Sequence, residues 1–370
     1  MRVGVPKEPP DEARVAAVPD AVAKLARAGL ELHLERGAGV ASGFPDEAYE
    51  EKGAVLVDRR AALGCEIVLA VRRPEPAELG SGTVLVCSPD PLRDAPGIAA
   101  LAARGVTCLA LELLPRISRA QSMDVLSSME SIAGYKAVLL AAATLPKLFP
   151  LMMTAAGTVR PARVFVLGAG VAGLQAIATA RRLGAVVEAY DIRADTREQV
   201  ESLGAGFVAF DLGTGDMQDE GGYARDLDES QKARQAELMA ERIQTSDVVI
   251  TTARVPGRRA PVLVPAEVVA GMKPGSVVVD LAADSGGNCA LTEPGADVVR
   301  HGVTILGPTN LSATVAQTAS MLYANNLIHF LDELMEEGAV KLDLENELIS
   351  GTLVCSDGEV TNERVREALL

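Results

Sequence analysis

Arg163-Val-Phe-Val-Leu-Gly168-Ala-Gly170-Val-Ala-Gly173, followed after Ala185-Val-Val-Glu-Ala-Tyr190 by Asp191, decides the fold of this chain. An apolar run opens into Gly-x-Gly-x-x-Gly, a helical stretch follows from Leu174 to Leu183, and a second apolar run ends in an acid. That order specifies a dinucleotide-binding βαβ unit. Gly168 permits the tight turn, Gly170 lets the backbone approach a pyrophosphate at the positive end of the helix, and Gly173 lets the helix pack closely on the strand. Asp191 lies where a carboxylate accepts hydrogen bonds from an adenosine ribose and repels a 2′-phosphate, so NAD(H) is expected over NADP(H). Arg193, two residues on, is a cation of the kind that holds a 2′-phosphate, but the acid precedes it.

Around this unit the chain has room for two α/β domains. It has 370 residues, 48% of them hydrophobic and only 3% aromatic, which implies cores of Ala, Val and Leu. A net charge of −15 argues against a nucleic-acid or anionic-membrane surface, since both need clustered Lys and Arg. Cys65, Cys87, Cys108, Cys289 and Cys355 form no Cys-x-x-Cys pair, so neither a metal site nor a disulfide framework is expected. Arg2-Val-Gly-Val-Pro6 enters a strand at once, leaving no room for a signal peptide. The most apolar stretch, Ile132 to Val159, is broken by Lys136, Pro146, Lys147 and Pro150, so no membrane insertion is expected.

Strand-like and helix-like runs alternate from the start: Val3 to Val5, a helix near Ala21 to Ala28, Glu31 to Leu34, Ile67 to Val71, Val84 to Val86, Ile98 to Ala103 and Val106 to Leu111. A second series begins at Arg163 and includes Phe207 to Asp211, Asp247 to Thr252, Ser276 to Leu281 and Val303 to Leu306. Such alternation predicts two Rossmann-like, doubly wound parallel-sheet domains separated by a cleft. A long helical pattern from Thr314 to Glu336 carries the chain back to the first domain, which is therefore discontinuous: residues 1–126 with 314–370, around a nucleotide-binding domain of 127–313. Gly213 to Asp228, rich in glycine and acids around Tyr223, reads as a long mobile loop.

After the strand ending at Leu111 comes Arg116-Ile-Ser118-Arg119-Ala-Gln121-Ser122-Met-Asp124-Val-Leu-Ser127-Ser128, dense in hydrogen-bonding side chains but without a nucleophile–base pair. Ligands bind outside the carboxyl ends of parallel strands, so this loop is a candidate site. Ser122 or Asp124 read equally well as the N-cap of a helix that runs from about Ser127 to Ala143.

Together with the glycine-rich stretch, Gly221-Gly222-Tyr223-Ala224 and Asp280-Leu-Ala to Gly286-Gly-Asn-Cys289, this loop resembles the NAD(H)-binding component, domain I, of proton-translocating NAD(P)+ transhydrogenase, over essentially the whole chain. The resemblance implies hydride transfer between NAD(H) held here and NADP(H) held on a partner subunit, coupled to proton movement through a membrane-embedded subunit. It implies a homodimer, cytoplasmic and peripherally attached to the inner membrane through those partners. By the same carry-over Arg116, Gln121, Asp124 and Ser127 act at the nicotinamide, with arginine and glutamine orienting the ring. Arg116, Ile117, Ser118, Arg119, Gly168, Gly170, Val171, Gly173, Asp191, Ile192, Arg193, Gly222, Tyr223 and Gln235 contact the cofactor, Tyr223 from a mobile loop. Hydride transfer between two nicotinamide rings needs positioning rather than a general base.

Alanine dehydrogenase shares much of this sequence and is the rival reading, beside a non-catalytic NAD(H)-binding regulator. Its reaction requires a proton-accepting side chain and a substrate lysine. This chain has Ser88-Pro-Asp90 where that family's histidine falls and Arg72 where it has lysine. His33, His301 and His329 read as structural or surface residues. Asp284 and Arg14 are shared with that family's functional positions and read as inherited scaffold. Arg254 stands where the transhydrogenases usually carry leucine.

Overall fold

Val84-Leu-Val-Cys87 and Val277-Val-Val-Asp280 carry no polar alternation, and each is a strand buried on both faces. The computed structural model describes residues 1–209, 229–254 and 257–370. These form two compact units, Met1–Met129 with Ser312–Leu370, and Glu130–Leu311.

In the first unit the strands are β1 (Arg2–Val5), β2 (Glu31–Glu35), β3 (Val55–Val57), β4 (Ile67–Leu69), β5 (Val84–Cys87) and β6 (Thr107–Ala110). They lie parallel in the order β3-β2-β1-β4-β5-β6. Helix α1 (Pro19–Arg27) shows why its sequence is helical. Pro19 sets the first turn, Asp20 and the basic pair Lys24 and Arg27 complement the dipole at opposite ends, and Ala21, Val22 and Leu25 are buried. Helix α2 (Val125–Thr144) begins two residues earlier than the sequence suggests because Asp124 caps it: Ser127 donates its backbone N–H to Asp124 Oδ1 at 2.9 Å and its hydroxyl to Oδ2 at 2.5 Å. Ser122 makes no cap, and residues Ser118–Met123 form a 3-10 turn instead. Among the described residues α2 is the one helix long and apolar enough to cross a membrane, with a mean hydropathy of 1.2. It nevertheless carries Glu130 and Lys136, and Ala137, Val138 and Ala141 lie in the second unit's core.

That unit contains β7 (Arg163–Leu167), helix α3 (Val171–Arg182), β8 (Val186–Tyr190), β9 (Gly206–Phe207), β10 (Val248–Thr251), β11 (Val277–Asp280), β12 (Asp297–Arg300) and β13 (Val303–Leu306). Its sheet order is β9-β8-β7-β10-β11-β13-β12, parallel except for β12 against β13. The order reverses between β7 and β10. Register places Leu167 opposite both Tyr190 and Thr251, so Gly168, Asp191 and Thr252 emerge together at one edge. The predicted strand from Phe207 to Asp211 is described only as far as residue 209, and the expected loop from Gly213 to Asp228 lies outside the described residues. The chain then returns through α4 (Ala316–Leu334) to the first unit, where β14 (Leu353–Ser356) adds antiparallel to β6 and β15 (Glu359–Val360) to β14.

Candidate functional site

In doubly wound sheets ligands bind beyond the carboxyl ends of the strands where the order reverses, which here is the end of β7 and β10. The glycine turn sits at that point. Gly168 has φ +102° and donates its N–H to Tyr190 O at 2.8 Å. A Cβ on Gly168 would meet Thr252 Oγ1 at 2.4 Å, and one on Gly173 would meet Gly168 O at 1.9 Å. At Gly170 a Cβ would meet nothing within 4 Å. The first and third glycines are therefore required by packing, while the second faces open space before the α3 N-terminus. There the N–H groups of Val171, Ala172 and Gly173 have no intrahelical acceptor. Such a cradle fits a pyrophosphate.

Asp191 follows β8 with its carboxylate almost fully covered. Oδ2 accepts the Ala169 N–H at 2.7 Å, and Arg193 supplies its own N–H to Oδ1 at 2.9 Å and a two-armed guanidinium contact, Nε to Oδ1 and NH2 to Oδ2, at 3.0 Å each. Burial pushes this carboxyl up, but the Arg193 and backbone donors outweigh it and hold the group below the usual carboxylate range. Ile192 is 81% exposed. Gln235, on helix Glu229–Thr245, donates to Tyr190 Oη at 2.5 Å and so stands on the same edge. Gly222 and Tyr223 lie outside the described residues.

Three residues that support this edge were not singled out from sequence. Thr252 donates from Oγ1 to Gly168 O at 3.1 Å, tying β10 to the glycine turn. Asp280 is fully buried and accepts from Thr251 Oγ1, Ala282 N, Asn288 N, Cys289 N and Thr292 Oγ1 at 2.7–3.0 Å. Asn288 then clamps the segment after β10, accepting from Ala253 N at 3.0 Å and donating to Ala253 O and Pro261 O. The available signal was an acid at the end of the apolar run Val277-Val-Val, where only a group with many donors is tolerated.

The polar loop of the first unit divides into committed and uncommitted side chains. Asp124 and Ser127 are bound to each other in the α2 cap. Arg119 donates to Asn346 Oδ1 at 2.6 Å and lies 4.0 Å from Glu333. Ile117 is half-buried and packs against the first unit's core, whereas Ser118 is exposed. Arg116 and Gln121 are exposed and make no hydrogen bond or ion pair among the described residues. The turn carrying them is fixed from behind by Asn326 Nδ2, which donates to Ser122 O at 2.7 Å.

The residues shared with an amino-acid site are occupied by the chain's own acids. Arg14 forms a two-armed pair with the buried Glu12, Nε to Oε1 at 2.7 Å and NH2 to Oε2 at 2.6 Å. Arg72 pairs with Asp11 at 2.7 Å and approaches Glu12 at 3.5 Å. Ser88 meets Tyr323 Oη at 3.3 Å. Arg254 donates to Leu281 O and pairs with Asp284 at 3.2 Å, so this cation is spent within its own unit. His33 lies in β2 beside Glu31.

Two buried carboxyls at the carboxyl edge of the first sheet have a consequence for stability. Burial pushes Glu8 up to about 7 and Glu112 up to about 8, from an ordinary value of 4.5. Glu112 Oε1 accepts the Asp90 N–H, while Oε2 is buried without a partner among the described residues. Both groups hold protons more tightly folded than unfolded, so their contribution is complete below pH ~4.5 and is lost as pH rises through their folded values. Glu112→Gln mimics the protonated form. It is expected to remove about 1–3 kcal/mol of the decline in stability between pH ~5 and ~8.5. Urea midpoints at both pH values check this, and equal declines in the two proteins would refute it.

Models of the alanine dehydrogenase/PNT N-terminal domain and C-terminal domain match residues 4–133 and 137–363. The chain is 48% identical to an NAD(P) transhydrogenase subunit alpha chain of Rhodospirillum rubrum, covering 98% of each. A crystal structure of transhydrogenase from Sinorhizobium meliloti is similar with a TM-score of 0.86 at 44% identity, covering 98% of this chain and 99% of that one. Alanine dehydrogenase of Bacillus subtilis is 31% identical, over 100% of this chain and 95% of that protein.

Proposed function

Because the chain belongs to the alanine dehydrogenase/PNT family, on its transhydrogenase alpha-subunit branch, we propose that it is the NAD(H)-binding subunit of a proton-translocating transhydrogenase. The observation that carries this reading is the switch-point edge of the second unit, where the open space at Gly170, the α3 N-terminus and Asp191 converge. When bound, NADH supplies a hydride from its nicotinamide. The N–H groups of Val171, Ala172 and Gly173 receive the pyrophosphate, and Asp191 receives the adenosine ribose. Ile192, Arg193 and Gln235 complete the adenosine side, with Gly222 and Tyr223 closing over it.

In the same reading, residues 127–313 form the nucleotide-binding domain and the first domain supplies the nicotinamide contacts. Arg116 and Gln121 orient the ring toward NADP+ held by a partner subunit, with Ile117, Ser118 and Arg119 shaping the loop and Asp124 and Ser127 holding its end. The freedom of Arg116 and Gln121 from internal partners among the described residues supports this role. Orientation alone suffices, because no substrate proton is lost. An amino-acid oxidoreductase role is disfavoured by Arg14, whose fork is filled by Glu12 where a substrate carboxylate would have to enter.

The active assembly adds an NADP(H)-binding subunit and a membrane-embedded one, which would attach this chain to the cytoplasmic face of the inner membrane. A homodimer is included in the proposal. Exposed Leu148, Leu151, Met152, Met153 and Val159, on and beside a short hairpin, are the kind of apolar surface that a second copy would cover. The test is turnover: the chain alone should bind NADH without reducing NAD+ at the expense of L-alanine, and should transfer hydride only when an NADP(H)-binding partner is added.

A further inference from the structure

The four donors on Asp191 leave no room for the ligand that this acid is expected to hold. A carboxylate offers about four lone-pair sites. Two are taken by the backbone N–H groups of Ala169 and Arg193, at 2.7 and 2.9 Å, and the other two by Nε and NH2 of the Arg193 guanidinium. An adenosine ribose also brings two donors, its 2′- and 3′-hydroxyls. The backbone contacts are fixed by the turn, whereas the Arg193 side chain is 58% exposed and free to swing away.

We propose that the Arg193 side chain is an intramolecular stand-in for the ribose diol, a latch that occupies Asp191 until NAD(H) displaces it. The inference rests on the reading of this edge as the NAD(H) site. It makes Arg193 a specificity-determining residue through competition rather than through contact alone. The fork keeps a nearly buried carboxylate satisfied while no nucleotide is present. Every nucleotide must then break a partly exposed ion pair, and only one with two free hydroxyls restores both lost hydrogen bonds. A 2′-phosphorylated ribose has a single free hydroxyl at this diol, so it cannot replace the fork.

Adenosine separates this role from a general attraction of Arg193 for phosphate, because it carries the diol and no charge. In Arg193→Ala and Arg193→Gln, adenosine affinity measured by displacement of NADH is expected to rise roughly threefold or more, the scale of one partly exposed ion pair. Affinity for 2′,3′-dideoxyadenosine, which lacks both hydroxyls, is expected to stay unchanged. Adenosine binding that is equal to or weaker than that of the unaltered protein in both variants overturns the latch. A parallel gain for the dideoxy compound overturns it too, since the gain would not come from the diol. Asp191→Ala serves as the control on the site itself: it should weaken NADH at least tenfold. Undiminished NADH binding in that variant would remove the site reading, whereas a latch failure with Asp191 still required would remove the latch alone.

Discussion

Gly173→Ala is expected to lower NADH affinity at least 100-fold while the protein still folds. The added Cβ would lie 1.9 Å from Gly168 O and 2.8 Å from its carbonyl carbon, and backbone cannot step aside as a flexible side chain can. Either α3 moves off β7 or the turn itself shifts. Both displace the N–H groups of Val171 and Ala172 from the position where a pyrophosphate is received. Overpacking of this kind costs about 1–3 kcal/mol, which the second unit's core of Val164, Val166, Ile250, Val277 and Val279 should absorb. Gly170→Ala is the informative partner, because its Cβ meets no protein atom within 4 Å. Its thermal midpoint should match that of the unaltered protein although its NADH affinity falls. Titration calorimetry with NADH, alongside thermal unfolding, separates the two. Wild-type affinity in Gly173→Ala, or in Gly170→Ala, would place the nucleotide elsewhere.

The second large effect concerns the loop that carries no base. Arg116→Ala and Gln121→Ala are each expected to slow hydride transfer to a partner's NADP+ by roughly 100-fold, as loss of a near-attack orientation does, while NADH affinity changes by less than about threefold. Both side chains are exposed and without internal partners among the described residues, so their removal leaves the fold unstressed. Asp124→Ala should behave differently. It removes the α2 cap and costs about 1 kcal/mol of stability, so any loss of rate there comes with a lower unfolding midpoint. Single-turnover rates and NADH titrations on the same preparations make the comparison. Equal losses of rate and affinity in Arg116→Ala would reassign it from orienting the ring to holding the nucleotide.

These two regions differ in how far the sequence discloses them. Gly168, Gly170 and Gly173 are legible because each answers a local backbone demand: a positive φ, an open approach and a close helix contact within six residues. Asp191 is legible as an acid at a strand end, but its capture by Arg193 is not, because either rotamer fits the same letters. Asp280 and Asn288 act on segments 27 to 35 residues away, and Arg119 finds Asn346 227 residues along the chain. Such partners become neighbours only through sheet order. The same holds for Arg14 and Arg72, where sequence shows two cations suited to a carboxylate substrate and the fold shows Glu12 and Asp11 already in place.

The most direct test of the central claim is the fate of the hydride. The chain is loaded with NADH deuterated at the transferring position and mixed with an NADP(H)-binding transhydrogenase subunit carrying NADP+, and the products are read by mass spectrometry. Direct transfer predicts NADPH that carries the deuterium, formed only when the partner is present, with none washed into solvent and no turnover of NAD+ with L-alanine by the chain alone. Unlabelled NADPH, or steady alanine-dependent NADH formation without a partner, would contradict it.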